Sequence, residues 1–325
     1  MNIEKLKGLV AAPYTPFDGN GELNLMQIEK YAEHLVRSGV TGIFVCGTTG
    51  ECLSMTADER KLVLEKWLSV AHQKLRIICH VGSNCLSESK ELAAHAQDQG
   101  AYGVGCFAPM FFKPSNSRDL LAFLKPIADA APEIPFFYYQ FPSLTGVDVK
   151  ASEVFAMASE SIPNFAGVKF THSDFYDMQK CLSFDDCRYN VLNGFDEMLL
   201  CGLSLGVQAA VGSTYNFMAP LYYDLWDAFT RGDLERARTL QRYSVSVVDI
   251  LVRYRGSTIA GKNIMDLIGI NCGPCRLPLR DLSASEKESL KRDLTELDFF
   301  NRMNNYYVKN EIRSDHVGDL SLSKK

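Results

Sequence analysis

The 325-residue sequence has few tryptophans, only two, and only six histidines, none in an HExxH arrangement. A zinc hydrolase of that type would therefore lack its ligands. No Asn-x-Ser/Thr sequon occurs. No window approaches the roughly 18 uninterrupted apolar residues of a membrane span, so no transmembrane helix is expected. The N-terminal stretch MNIEKLKGLVAAPYTPF has an apolar run but no small-residue cleavage site, so no signal peptide is expected. Basic excess is lacking as well. Lys and Arg total 34 against 39 Asp and Glu, for a net charge of −5. Without a Lys/Arg run, neither nucleic acid nor an anionic membrane is an expected partner.

Apolar residues are plentiful, at 46% hydrophobic. Their pattern alternates short β-rich runs with amphipathic helical stretches. The β runs are 8–17, 42–46, 76–81, 103–108, 134–139, 167–170, 189–192 and 207–211. Helical periodicity covers 25–38, where Ile28, Leu35 and Val36 share a face. It also covers 56–73, opened by a Thr56–Glu59 capping box. Near-continuous apolar strands suit a parallel sheet covered on both faces. Eight such units suggest an α/β fold, a (β/α)₈ TIM barrel. A doubly wound sheet is disfavoured because no Gly-rich dinucleotide turn follows the first strand. Beyond about residue 218 only helical patterns remain, at 217–230, 233–254, 259–268 and 283–301. The expected organisation is a barrel over 1–230, a C-terminal helical appendage over 231–309 packed on it, and a flexible tail over 310–325.

In this fold, chemistry sits where strands end. Lys169 ends an apolar run, where desolvation lowers an amine pKa and lets the neutral form attack a ketone. A surface lysine is the plain alternative. The turn Gly47-Thr48-Thr49-Gly50 offers backbone N–H groups and hydroxyls for an anion, a carboxylate being the natural guest. Tyr139 is a candidate proton shuttle or simply a barrel-layer aromatic. Asp196 and Glu197 could hold sugar hydroxyls or mark a helix N-terminus.

The ten cysteines sit mostly in apolar runs, which reads as reduced thiols in a cytosolic protein. Cys272-Gly273-Pro274-Cys275 matches a redox motif. No preceding strand gives it a thioredoxin-like setting, and a redox role is set aside. A metal-dependent aldolase would need converging histidines; His80 alone stands at a strand end, so no metal is expected.

Six motifs occur in order: GTTGE at 47–51, HVG at 80–82, YYQFPSLTG at 138–146, GVKF at 167–170, GFDE at 194–197 and GSTYN at 212–216. Together they resemble the N-acetylneuraminate lyase branch of the class I pyruvate aldolases, which also include dihydrodipicolinate synthase. The likeness runs from about Leu6 to Asp298. It implies that Lys169 forms a Schiff base with C2 of a 2-oxo acid, and that Tyr139 moves the proton of the C4 hydroxyl. It implies that Thr48 and Thr49 bind the carboxylate. Thr171, Gly194, Asp196, Glu197 and Ser213 would line the polyol end, with Tyr176 near it. The reaction implied is a retro-aldol that releases pyruvate and N-acetylmannosamine, without a cofactor, in a cytoplasmic homotetramer.

Within that resemblance, Leu144 stands where synthases carry an arginine. Met110-Phe111-Phe112 stands where they carry a tyrosine that serves a neighbouring subunit. Both favour the lyase. Gln140 departs from the asparagine usual in bacterial lyases. The alternatives are another pyruvate-dependent 2-oxo acid aldolase or synthase of the same superfamily, and a catalytically silent binding protein on the same scaffold.

Overall fold

The computed structural model describes residues 4–306, so the expected tail over 310–325 lies outside the described residues. The barrel half runs β1 (Gly8–Ala11), α1 (Gln27–Arg37), β2 (Gly42–Val45), α2 (Ala57–Ala71), β3 (Arg76–His80), α3 (Leu86–Asp98), β4 (Gly103–Phe107) and α4 (Ser117–Asp129). It continues with β5 (Phe136–Gln140), α5 (Pro142–Thr145), α6 (Ala151–Ser161), β6 (Phe165–Phe170), α7 (Phe175–Ser183), β7 (Asn190–Asn193), α8 (Leu199–Leu205), β8 (Ala209–Gly212) and α9 (Tyr215–Thr230). Three helices follow: α10 (Leu234–Arg253), α11 (Ser257–Leu267) and α12 (Ala284–Glu296). The eight strands are parallel and close in sequence order, β8 pairing with β1. This is a (β/α)₈ barrel with C-terminal helices.

Local chemistry explains the boundaries. Thr56 caps α2 in a reciprocal capping box with Glu59, and Ser283 does the same for α12 with Glu286. Asn116, Asp174 and Asp233 cap α4, α7 and α10 through their side chains. The first apolar run was expected to stay extended to residue 17 but pairs only to Ala11. Pro13 and Pro16 lack the N–H a ladder needs, and Phe17 makes only an isolated bridge to Leu23. The helical pattern over 283–301 divides: α12 ends at Glu296, Asp298 turns at φ +58, and helix resumes over 299–306. β8 begins two residues later than the pattern suggested, and β6 two residues earlier.

Side chains inside the barrel form one apolar layer that includes Val10, Phe44, Ile78, Phe107, Phe137, Tyr139 and Leu192. Outward-facing strand residues pack against the helices as a larger, continuous core. Gly105 leaves room for Phe44, since a Cβ there would lie 2.7 Å from its ring. One irregularity matters for the site. Between β5 and β6 the register slips: Phe136 pairs with Phe165, but Phe137 pairs with Gly167. The extra residue makes a β-bulge. Ala166 faces the interior, Val168 packs outward, and Lys169 faces inward again. Gly167 adopts φ +144, and a Cβ there would fall 1.9 Å from the Asn190 carbonyl oxygen, so only glycine fits.

Candidate active site

The bulge delivers Lys169 into the barrel, where it is only 4% exposed. Its Nζ lies 4.1 Å from the centre of the Tyr139 ring and 4.4 Å from that of Phe44. Burial lowers its pKa to about 7, against an opposing pull from Asp196 and then Cys52. A large share of the amine is therefore neutral at physiological pH, as a nucleophile for a ketone requires.

Tyr139 arrives from β5, which is in register with β6 at this point, Tyr139 opposite Lys169. Its hydroxyl is 3.2 Å from Thr48 Oγ1. Its ring packs edge-on to Phe44 and His80 and stacks on Phe141. Burial raises its pKa, partly offset by the Thr48 hydroxyl, so the free phenol keeps its proton. It is suited to pass a proton along, receiving one as it gives one up, rather than to act as a standing phenolate.

After β2 the chain turns through Cys46, at φ +55, and Glu51, at φ +57. Between them Thr48 and Thr49 face the cavity, and their backbone N–H groups donate to no acceptor among the described residues. The Thr15 hydroxyl braces the turn at the Gly50 carbonyl, 2.8 Å away. Two adjacent amide donors beside a buried lysine make a cradle for a carboxylate.

The cavity holds about 240 Å³ and is lined by Thr48, Thr49, Tyr139, Lys169, Thr171, Gly194, Asp196, Glu197 and Ser213 among others. Nine residues singled out from the sequence thus converge at one place. Tyr176 does not join them. It sits in the first turn of α7, 77% exposed, with Lys180 over its ring. The Asp174 cap starts α7 there and sends that residue outward.

The acidic pair divides its work. Asp196 is buried and accepts from both the amide and hydroxyl of Thr214, at 2.8 and 2.7 Å. Burial raises its pKa. Its carboxylate also interacts with the buried Tyr215 hydroxyl, and neither its other oxygen nor that hydroxyl meets a further hydrogen-bond partner among the described residues. Gly212 makes space for it, since a Cβ there would lie 1.5 Å from Asp196 Oδ1. Glu197 is half-buried, its carboxyl raised by burial and then by Asp196. Asp196 is thus fixed by its neighbours, while Glu197 keeps an accessible face. Gly194 lets its strand end approach Thr171, whose hydroxyl would lie 2.0 Å from an added Cβ.

Sequence reasoning missed two contributors. His80 is fully buried and points Nδ1 at the Cys46 carbonyl, 2.9 Å away, with its own carbonyl held by the buried Arg60. Its place in HVG, ending a strand beside GTTGE, was the available signal. The helices α10 and α11 also enter the site: Val248, Leu251 and Val252 form one wall, and Ser257 adds to it. Gln241 of α10 further clamps the acidic segment, reaching the Asp196 carbonyl and the Leu200 amide. Gln140 faces away from the cavity and ties the Val149 carbonyl. Both thiols of the CGPC stretch are pushed up to about 12, chiefly by burial, which disfavours a reactive thiolate.

The sequence model of the dihydrodipicolinate synthetase family matches residues 5–297. Mouse N-acetylneuraminate lyase (Mus musculus) is 40% identical over 91% of this chain and 94% of its own, and the human protein (Homo sapiens) is 41% identical over the same shares. Among solved structures, Proteus mirabilis N-acetylneuraminate lyase superposes with a TM-score of 0.89 at 37% identity, covering 91% of this chain and 100% of its own. A dihydrodipicolinate synthase from Bacillus anthracis superposes with a TM-score of 0.83 at 26% identity, covering 89% and 97%.

Proposed function

This chain belongs to the dihydrodipicolinate synthetase family, and we propose that it is a Schiff-base lyase cleaving N-acetylneuraminate to N-acetylmannosamine and pyruvate. The observation that carries the chemistry is the buried Lys169, its pKa lowered to about 7, facing Tyr139 and the Thr48–Thr49 turn. Similarity to the mouse, human and Proteus mirabilis lyases supports the substrate.

The proposed steps draw on the residues that line this cavity. The Thr48 and Thr49 amides hold the substrate carboxylate and bring C2 to Lys169. The neutral Nζ attacks C2, the carbinolamine takes up one proton from solvent, and its oxygen leaves as water to give a protonated imine. Tyr139 accepts the C4 hydroxyl proton while passing its own to the substrate carboxylate, which suits a phenol that stays protonated when free. The C3–C4 bond breaks, and its electron pair moves into the imine to give an enamine. N-acetylmannosamine departs, the proton left on the carboxylate returns to C3, and addition of water to the imine frees pyruvate and Lys169. The protonated imine is the electron sink, so this chemistry calls for no metal and no organic cofactor. Glu197, Ser213 and Thr171 meet the polyol, and Asp196 orients that end through Thr214.

A homotetramer in the cytoplasm completes the proposal. Exposed Phe111 and Phe112 supply apolar surface that an assembly would cover. Among the described residues no helix is long and apolar enough to cross a membrane. Two measurements test the function. Borohydride reduction with pyruvate, followed by peptide mapping, should place the adduct on Lys169; an adduct elsewhere, or none, rejects the imine chemistry. Pyruvate release should be faster from N-acetylneuraminate than from other 2-oxo sugar acids; faster turnover of another acid moves the chain to a different aldolase specificity.

A further inference from the structure

We propose that the buried ion pair between Lys262 of α11 and Glu51 positions the Thr48–Thr49 turn for the substrate carboxylate. The proposal rests on the 2-oxo acid reading above and makes both residues positioning groups that do not touch the substrate. Glu51 closes the turn. Its amide donates to the Thr48 carbonyl at 3.0 Å, and the next amide, of Cys52, donates to the Gly47 carbonyl at 3.3 Å. Its backbone is left-handed, at φ +57, a conformation a non-glycine residue keeps only when its surroundings hold it there. What holds it comes from the C-terminal helices and the loop after α11. Lys262 Nζ lies 2.6 Å from Glu51 Oε1, and the Arg276 amide donates to Oε2 at 2.8 Å.

The Lys262 end is equally fixed. It is 1% exposed, donates to the Pro274 carbonyl at 3.0 Å, and lies over the Phe17 ring at 4.3 Å. Arg276 covers the same ring at 4.4 Å and bonds the Gly21 and Ser54 carbonyls as well as Glu59. A buried ion pair is seldom the most stabilising way to fill such a space, since apolar side chains of similar volume often serve as well. Direction is what the charges add. They pull one carboxylate, and with it one backbone amide, to a fixed place. The opposite end of the turn has its own anchor in His80, which holds the Cys46 carbonyl. Release of Glu51 would let its φ relax, break the contact to Thr48, and swing the two amide donors out of line.

The test compares pyruvate with acetone, a ketone lacking the carboxylate, as borohydride-trapped adducts of the full chain. In both, the Nζ–carbon bond forms, the carbonyl oxygen leaves as water, and hydride reduces the imine. Trapping of pyruvate by the wild type at Lys169 checks the functional reading separately. Lys262→Met, and the charge-neutral pair Glu51→Gln/Lys262→Met should the single variant fail to fold, are then assayed. The pyruvate-to-acetone trapping ratio should fall by roughly tenfold or more, within what an ångström-scale displacement of a binding group costs. Acetone trapping should be unchanged. An unchanged ratio in a folded variant, or equal loss with both ketones, overturns the proposal.

Discussion

With its amine titrating near neutrality, Lys169 gives the reaction a definite pH dependence. The rate of imine formation with pyruvate should rise from pH 6 to 8 and level off above, as Nζ loses its proton around pH 7. Stopped-flow or timed borohydride trapping reads it, and a flat profile would contradict the lowered pKa. Tyr139→Phe removes the proton relay but keeps the ring over Lys169. Cleavage should slow by roughly 10²- to 10⁴-fold while pyruvate still traps on Lys169, a split that separates proton transfer from imine chemistry. At this scale the sequence was informative where polar residues interrupt apolar strand ends. Lys169, Tyr139 and the threonines stood out for that reason. His80 also stood at a strand end, but a lone histidine carries no sign of which carbonyl it will meet, so its role stayed hidden. Tyr176 misled because the helix start that turns it outward depends on the Asp174 cap.

Among the elements, the β6 bulge is the least tolerant of change. Gly167→Ala places a methyl against the Asn190 carbonyl and forces φ +144 on a residue that avoids it. Stability should drop by at least about 1–3 kcal/mol, the scale of a strained backbone position, with imine trapping lost in parallel; urea unfolding and adduct mass measure the two. The α2 cap behaves differently. Thr56→Ala should cost about 1 kcal/mol of unfolding free energy without altering the imine, since it removes one local bond at a helix start, from the Glu59 amide to the Thr56 hydroxyl. The eight-fold alternation and that capping box were legible because both are local patterns. The bulge was not, because one extra residue in an apolar strand leaves the composition unchanged. The break at Leu297–Asp298 was hidden likewise, since helical periodicity continues across it.

For the whole molecule, the buried lysine is a stability cost that varies with pH. Its folded pKa, about 7, lies below the 10.5 of an exposed lysine. Between these values the unfolded chain binds more protons, so stability rises with pH across the window; below about pH 7 the full cost applies. Lys169→Met should therefore unfold at higher urea than wild type at pH 7, with the gap narrowing toward pH 9. A constant gap would place the cost in packing rather than charge. The helical appendage was expected from its sequence to be helical and to pack on the barrel, but its entry into the site was not. That α10 walls the cavity and α11 anchors a barrel turn depends on long-range packing that no local pattern encodes. In a closed ring of eight strands, odd and even positions normally divide cleanly between lumen and outer shell. The residue inserted in β6 reverses that parity for everything after it, so counting twos from Phe165 would put the lysine on the outer shell, and counting from Gly167 puts it in the lumen. Any attempt to graft this lysine onto another barrel must carry the phase shift along with the side chain.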